Sequence, residues 1–190
     1  MSEYNESLHK SEITKYRIEC AGKMSGRVLD VGGGLGCYLP YFNASSITVL
    51  DVDKQTLDRL DGSPYNVNKV VADATNMPFK DDSYDSVWAC AVCQYFNIDK
   101  FIEESKRVCI NGGKIYILVP NAKSPWAKIF KMFGMKTWED QEGIYKHYTV
   151  DDLTQYGKVT GEIRFLPFES LFRNFPRFGH TIMLEIVNEK

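Results

Sequence analysis

Apolar residues along the chain gather into short unbroken runs. Five of them, RVLDV (27–31), ITVLDV (47–52), NKVVA (68–72), SVWAC (86–90) and KIYILVP (114–120), are rich in β-branched side chains. Runs that are apolar on both faces suit parallel strands buried between two helix layers. Between them the period changes to that of helices, notably in DKQTLDRL (53–60) and IDKFIEESKRV (98–108). Ahead of the first run, Leu8, Ile13, Tyr16, Cys20 and Met24 recur at roughly helical spacing, which predicts a leading amphipathic helix over 5–24. Asn111-Gly112-Gly113 reads as the turn into the fifth strand. Alternating strand and helix predicts an α/β fold with a doubly wound sheet and helices on both faces.

The last third has a different texture. Residues 121–148 are rich in aromatics and lysines and show no strand pattern. Thr149-Val-Asp-Asp152 has the form of a capping box, with Asp in place of Glu, so a helix opens there. Strands at 158–166 and 180–187, joined by the aromatic loop PFESLFRNFPRFG, bring the expected total to seven.

Composition narrows the class. With 190 residues the chain fits one domain. A net charge of −2 argues against a general attraction to nucleic acid or anionic surfaces. No apolar run approaches the ~18 residues of a membrane span. The polar start MSEYNESLHKSEITKY lacks the apolar core of a secretory signal. Five cysteines, Cys20, Cys37, Cys90, Cys93 and Cys109, are odd in number and sit in apolar contexts, which favours free thiols in a reducing, cytoplasmic setting.

The chemistry concentrates behind the first strand, in VLDVGGGLGCYLP. Glycines there allow a ligand close to backbone N–H groups. A dinucleotide fingerprint needs G-x-G-x-x-G, but its last position is Cys37; Gly32, Gly34 and Gly36 give G-x-G-x-G instead. A bare strand–helix turn is the other reading. Pro40 shortens or kinks the helix expected after the turn. Asp30 lies inside the first strand, where a buried carboxylate needs a partner. Asp51 ends the second strand at the distance where an acid meets ribose hydroxyls, or else caps a helix, a task that also suits Asp53. Asp73 ends the third strand.

Together VLDVGGGLG, LDVDKQTL, ADATNMPFKDDSYDSV and INGGKIYILVPN, spanning 27–121, resemble the class I S-adenosylmethionine-dependent methyltransferases, and most nearly the small-molecule enzymes of ubiquinone/menaquinone biosynthesis. The resemblance implies a Rossmann-like, seven-stranded, mostly parallel sheet with an antiparallel last strand. It also implies S-adenosylmethionine as cofactor, with S-adenosylhomocysteine as product, and a small-molecule methyl acceptor. By the same resemblance Asp30, Gly32, Gly33, Gly34 and Gly36 contact the methionine end, Asp51 holds the ribose, and Val52 lies against the adenine. Asp73 and the Ala74 amide read the adenine edge, while Cys90 to Gln94 line the sulfonium side. The chain lacks the histidine that the family often carries near Gln94 and Tyr95. Residues 1–25 would then form a helical cap, 26–120 the cofactor-binding core, 121–148 a lid, and 149–190 the closing helix and strands. An NAD(P)-dependent oxidoreductase and a non-catalytic cofactor-binding relative are the alternatives.

Other residues take plainer readings. Cys90-Ala-Val-Cys93 has no second pair and few histidines to complete a zinc site, so no metal is expected. His9 and His180 are scattered. His147, in EGIYKHYTVDDL, either serves as a general base facing the acceptor or pins the lid; Tyr145 and Tyr148 share that choice. SPWAKIFKMFGMKTW (124–138) places Trp126, Ile129, Phe130 and Phe133 at helical spacing, as a packed helix, a lid, or a helix grazing a membrane.

Overall fold

The computed structural model describes residues 15–134, 143–162 and 175–190. Seven strands form one sheet: β1 (Ser25–Val31), β2 (Asn43–Asp51), β3 (Val67–Val71), β4 (Tyr84–Cys90), β5 (Cys109–Pro120), β6 (Lys158–Glu162) and β7 (Thr181–Val187). Their order is β3-β2-β1-β4-β5-β7-β6. Pairings from β3 through β5 are parallel, and β7 runs antiparallel to both β5 and β6. The expected architecture is therefore the observed one, with β7 alone reversed.

Among the described residues five helices accompany the strands: α1 (Lys15–Ala21), α2 (Lys54–Arg59), α3 (Ile98–Val108), α4 (Pro125–Met132) and α5 (Val150–Leu153). The two faces of each central strand feed different cores, because successive side chains point to opposite sides. Leu29, Val87, Ile115 and Ile117 pack with Ile98, Phe101 and Ile102 of α3 and with Leu153 of α5. On the other face Val28, Trp88, Tyr116 and Met183 meet Tyr16, Cys20 and Ala21 of α1. A side chain such as Phe101, wholly buried, contributes about 1.5–3 kcal/mol by leaving water.

Local signals set the helix ends. Asn97 caps α3 by accepting from the Asp99 and Lys100 amides. Asp53 caps α2 through the Gln55 amide at 2.9 Å. Thr149 and Asp152 form the reciprocal box at the start of α5.

Two local expectations are corrected. The turn signal Asn111-Gly112-Gly113 lies inside β5, as a bulge. Tyr84 pairs with Cys109 and Ser86 with Lys114, so β5 holds extra residues between two rungs. Gly113 is needed there because a Cβ would meet the Asp85 carbonyl oxygen at 2.8 Å. The helix expected after the glycines is reduced to one 3₁₀ turn, Leu39–Tyr41, with Pro40 in its first positions. Gly36 at φ +73° leaves the right-handed helical region just before it. The parts of the sequence readings that fall on 1–14, 135–142 and 163–174 lie outside the described residues.

Candidate functional site

The chain passes from β1 outward through β2 to β3, then returns to place β4 on the other side of β1. Open α/β sheets hold ligands at such a switch point, outside the carboxyl ends of the strands. The glycine turn leaves β1 there. Gly32 continues the ladder by donating to the Leu50 carbonyl at 2.7 Å, and Gly36 closes a turn on the Gly33 carbonyl at 2.8 Å. The Gly34 amide donates to Asp51 Oδ2 at 3.2 Å, and the Asp53 amide donates to Asp51 Oδ1 at 3.0 Å. Asp51 therefore ties the turn to the end of β2 while staying partly open to solvent.

Asp30 sits beneath this turn. It is buried, and its Oδ2 has no hydrogen-bond partner among the described residues. A Cβ on Gly33 would come to 2.6 Å from that oxygen, so glycine alone lets the turn lie over the carboxyl. Burial first, and the Asp51 charge second, push the Asp30 carboxyl up to about 7. An acceptor left in this state is matched by a ligand ammonium, which would lower that value again.

Just past the end of β2, Val52 is exposed, while beyond β3 Asp73 accepts from the Thr75 amide and hydroxyl at 2.7 and 2.8 Å. This turn directs the chain past buried Ala74. The loop is braced from α3. Arg107 donates to the Met77 and Phe79 carbonyls at 3.0 and 2.7 Å, and Glu104 accepts from the Met77 amide at 2.6 Å.

The wall after β4 is under backbone strain. Ala91 has φ +56°, a region that costs a non-glycine residue about 1–2 kcal/mol. Its amide donates to the Leu118 carbonyl at 2.9 Å, and its carbonyl accepts from Gln94 Nε2 at 2.8 Å. Such outliers concentrate at functional sites. Gln94 is buried, and its Oε1, like Asp30 Oδ2, has no hydrogen-bond partner among the described residues. The Gln94 carbonyl accepts from the Tyr145 and Lys146 amides at 2.8 and 3.2 Å. His147, exposed, is thus held next to this wall. Tyr148 turns inward, donates its hydroxyl to the Phe96 carbonyl at 3.3 Å, and has its phenol pushed up to about 12 by burial.

Sequence reasoning missed three participants. Arg17, buried on α1, donates to Thr181 Oγ1 at 3.1 Å and approaches Cys90 Sγ at 4.0 Å; Cys90 Sγ lies 3.3 Å from Tyr38 Oη. These contacts join α1, the glycine turn, β4 and β7 at the carboxyl edge of the sheet. Their sequence separations left no pattern to read. Among the described residues the five cysteines form no disulfide.

Asp30, the glycine turn, Asp51 and the Asp73–Ala74 loop line up along successive strand ends, as an elongated nucleoside with a charged tail requires. The orphaned Asp30 oxygen fits the ammonium of a methionine moiety. Comparison with known proteins bears on the fold and the family. The family model described as "Methyltransferase domain" matches residues 29–117. An uncharacterized protein of Methanocaldococcus jannaschii is 30% identical over 156 residues, covering 80% of this chain and 73% of that one. A ubiquinone/menaquinone biosynthesis C-methyltransferase of Haemophilus ducreyi is 24% identical over 172 residues, covering 80% of this chain. The chain spans 63% of that relative's length. In fold, a solved S-adenosylmethionine-dependent methyltransferase of Thermotoga maritima superposes with a TM-score of 0.72 at 14% identity, covering 98% of this chain and 95% of that one. A dinucleotide-dependent oxidoreductase is set aside on this ground, and S-adenosylmethionine is the cofactor of the family. The chain belongs to the class I S-adenosylmethionine-dependent methyltransferases.

Proposed function

We propose that the chain transfers the methyl group of S-adenosylmethionine to an O, N or C nucleophile of a small apolar or aromatic molecule. The observation that carries this is the buried, unpartnered Asp30 carboxyl oxygen under a glycine turn that Asp51 ties down. The Haemophilus relative is named as a ubiquinone/menaquinone biosynthesis C-methyltransferase, which adds weight to an apolar aromatic acceptor.

When bound, the cofactor supplies a methyl group already activated on a sulfonium centre, so the protein needs mainly to orient and to exclude water. Asp30 holds the ammonium of the methionine tail, with the backbone of Gly32, Gly33, Gly34 and Gly36 lying close to it. Asp51 accepts from the ribose hydroxyls, Val52 flanks the adenine, and Asp73 with the Ala74 amide reads its edge. Cys90 and Gln94 wall the sulfonium side. His147 accepts the proton that an O or N nucleophile loses, and Tyr148 fixes the segment that carries it. The described stretches 121–134 and 143–148 would flank the acceptor.

Isothermal titration of the purified chain tests the cofactor half. S-adenosylhomocysteine is expected to bind at sub-millimolar concentration, and no binding would sink the proposal. Incubation with methyl-labelled cofactor and a panel of quinols and phenols tests the other half. Labelled product is expected, and it should be diminished in His147→Gln with cofactor binding unchanged. Cofactor binding without transfer to any fraction of a cell extract would point to a non-catalytic cofactor-binding subunit.

A further inference from the structure

Two buried acceptors lie around the glycine turn, and the cofactor accounts for one of them, Asp30 Oδ2. The other is Gln94 Oε1, which has no hydrogen-bond partner among the described residues. Gln94 is 2% exposed and sits in the 3₁₀ turn Cys93–Tyr95 that follows β4. A buried carbonyl without a donor costs stability, and native folds keep few of them. The amide cannot resolve this by turning over. Its Nε2 donates to the Ala91 carbonyl at 2.8 Å, and the reversed amide would set oxygen against oxygen. Oε1 therefore faces away from Ala91.

Position says which molecule brings the missing donor. A Cβ on Gly32 would lie 2.4 Å from Val92 Cγ2, so the chain entering the Gln94 turn rests directly on the glycine turn. The Gln94 main-chain carbonyl in turn accepts from the Tyr145 and Lys146 amides, in the segment that carries His147. Gln94 thus joins the cofactor turn to the segment assigned above to the acceptor. Of the cofactor's donors, the ammonium goes to Asp30, the ribose hydroxyls to Asp51 and the adenine amine to Asp73. The donor that completes Gln94 then belongs to the acceptor.

We infer that Gln94 is a specificity-determining residue whose Oε1 accepts from an O–H or N–H group of the methyl acceptor. The acceptor is accordingly a phenol, an aromatic amine or a ring N–H compound, and a donor-free ring is rejected because it leaves the buried carbonyl unpaired. This rests on the cofactor reading proposed above. An amide takes up no proton, so Gln94 orients the donor and leaves proton removal to His147.

The test uses the full chain saturated with S-adenosylhomocysteine, with phenol and aniline as probes and toluene as their donor-free match in shape. Binding is followed by NMR titration of the isotope-labelled chain. The Gln94 Nε2 resonance is identified by its absence from the spectra of Gln94→Met and Gln94→Glu. Phenol and aniline are expected to shift that resonance and to bind about fivefold or more tighter than toluene, against the order of hydrophobicity. The preference should vanish in Gln94→Met, which keeps the length of the side chain and loses the acceptor. It should persist in Gln94→Glu, because a buried carboxyl held neutral can donate to Ala91 and still accept from the probe. Equal affinity of the parent for phenol and toluene, or binding of neither, would overturn the inference, as would a preference that survives Gln94→Met. The parent's own preference is decisive, so a variant that fails to fold leaves the test intact. A parent chain that S-adenosylhomocysteine does not saturate overturns the cofactor reading and this inference with it. A chain that saturates without preferring donors overturns the inference alone.

Discussion

The Gly34 amide and the Asp51 carboxylate meet at 3.2 Å, so the turn behind one strand is held by the last residue of the next. Asp51→Ala removes that contact, the second one to the Asp53 amide, and the acceptor facing the ribose. Stability should fall by only about 1 kcal/mol, because the carboxylate is partly solvated and two modest hydrogen bonds are lost. Affinity for S-adenosylhomocysteine should fall by about tenfold or more. Calorimetric titration beside urea denaturation separates the two. A loss of affinity no larger than the loss of stability predicts would remove Asp51 from the site.

The carboxyl of Asp30, raised from 3.8 to about 7, makes a signed prediction about pH. Between those values the folded chain holds a proton that the unfolded chain has released, so this group lowers stability as pH rises through the interval. Asp30→Asn should flatten that part of the stability profile. Binding of an ammonium runs the other way: it needs the ionised carboxylate, so cofactor affinity should rise from pH 6 to pH 8 with proton release. Titrations in two buffers of different ionisation heat read the released proton, and its persistence in Asp30→Asn would refute the assignment.

Adjacent glycines should respond differently to alanine. At Gly33 a methyl group would lie 2.6 Å from Asp30 Oδ2 and 2.8 Å from Val49 Cγ1. The cost should be about 2 kcal/mol or more, from overpacking. At Gly34 the nearest atom is Thr56 Cγ2 at 3.9 Å, and the penalty comes from φ +53° alone, about 1 kcal/mol. Chemical denaturation should rank Gly33→Ala below Gly34→Ala.

Ala91 offers the converse experiment. In most positions Ala→Gly costs stability, because glycine has more conformational freedom to lose. At φ +56° relief of strain offsets that loss, so Ala91→Gly should change stability by less than about 0.5 kcal/mol. Ala89→Gly, two residues earlier in the extended, fully buried part of β4, should cost about 1 kcal/mol or more. Equal costs at the two positions would contradict the strain assigned to Ala91.

The sheet was legible because buried parallel strands carry their apolar pattern in consecutive residues. The position of Asp51 was legible for the same reason, since an acid closing such a run sits at the strand's end, whereas Asp73 lies two residues beyond β3, in the turn that follows it. The bulge at Asn111–Gly113 was misread as a turn because both use glycine in the left-handed region, and only the partner strand tells them apart. The glycine turn's short 3₁₀ exit was half visible in Pro40, while the decisive φ of Gly36 was not. Arg17 was invisible. It lies beside Tyr16 in a helix read for its apolar stripe, and its partners, Cys90 and Thr181, are 73 and 164 residues away.

The reversed strand β7 has a consequence for how the sheet is completed. β6 pairs only with β7 among the described strands, and β7 is the layer between β6 and β5. During synthesis β6 leaves the ribosome before the strand it needs. The parallel part, β1 to β5, can associate first and for that interval exposes the free edge of β5. Closing that edge joins residues as distant as Lys114 and Val187, a long-range pairing that is slow to form. Completing the sheet therefore requires β7 to seat between β5 and β6, and until it does both of those edges are open to pairing with the wrong strand.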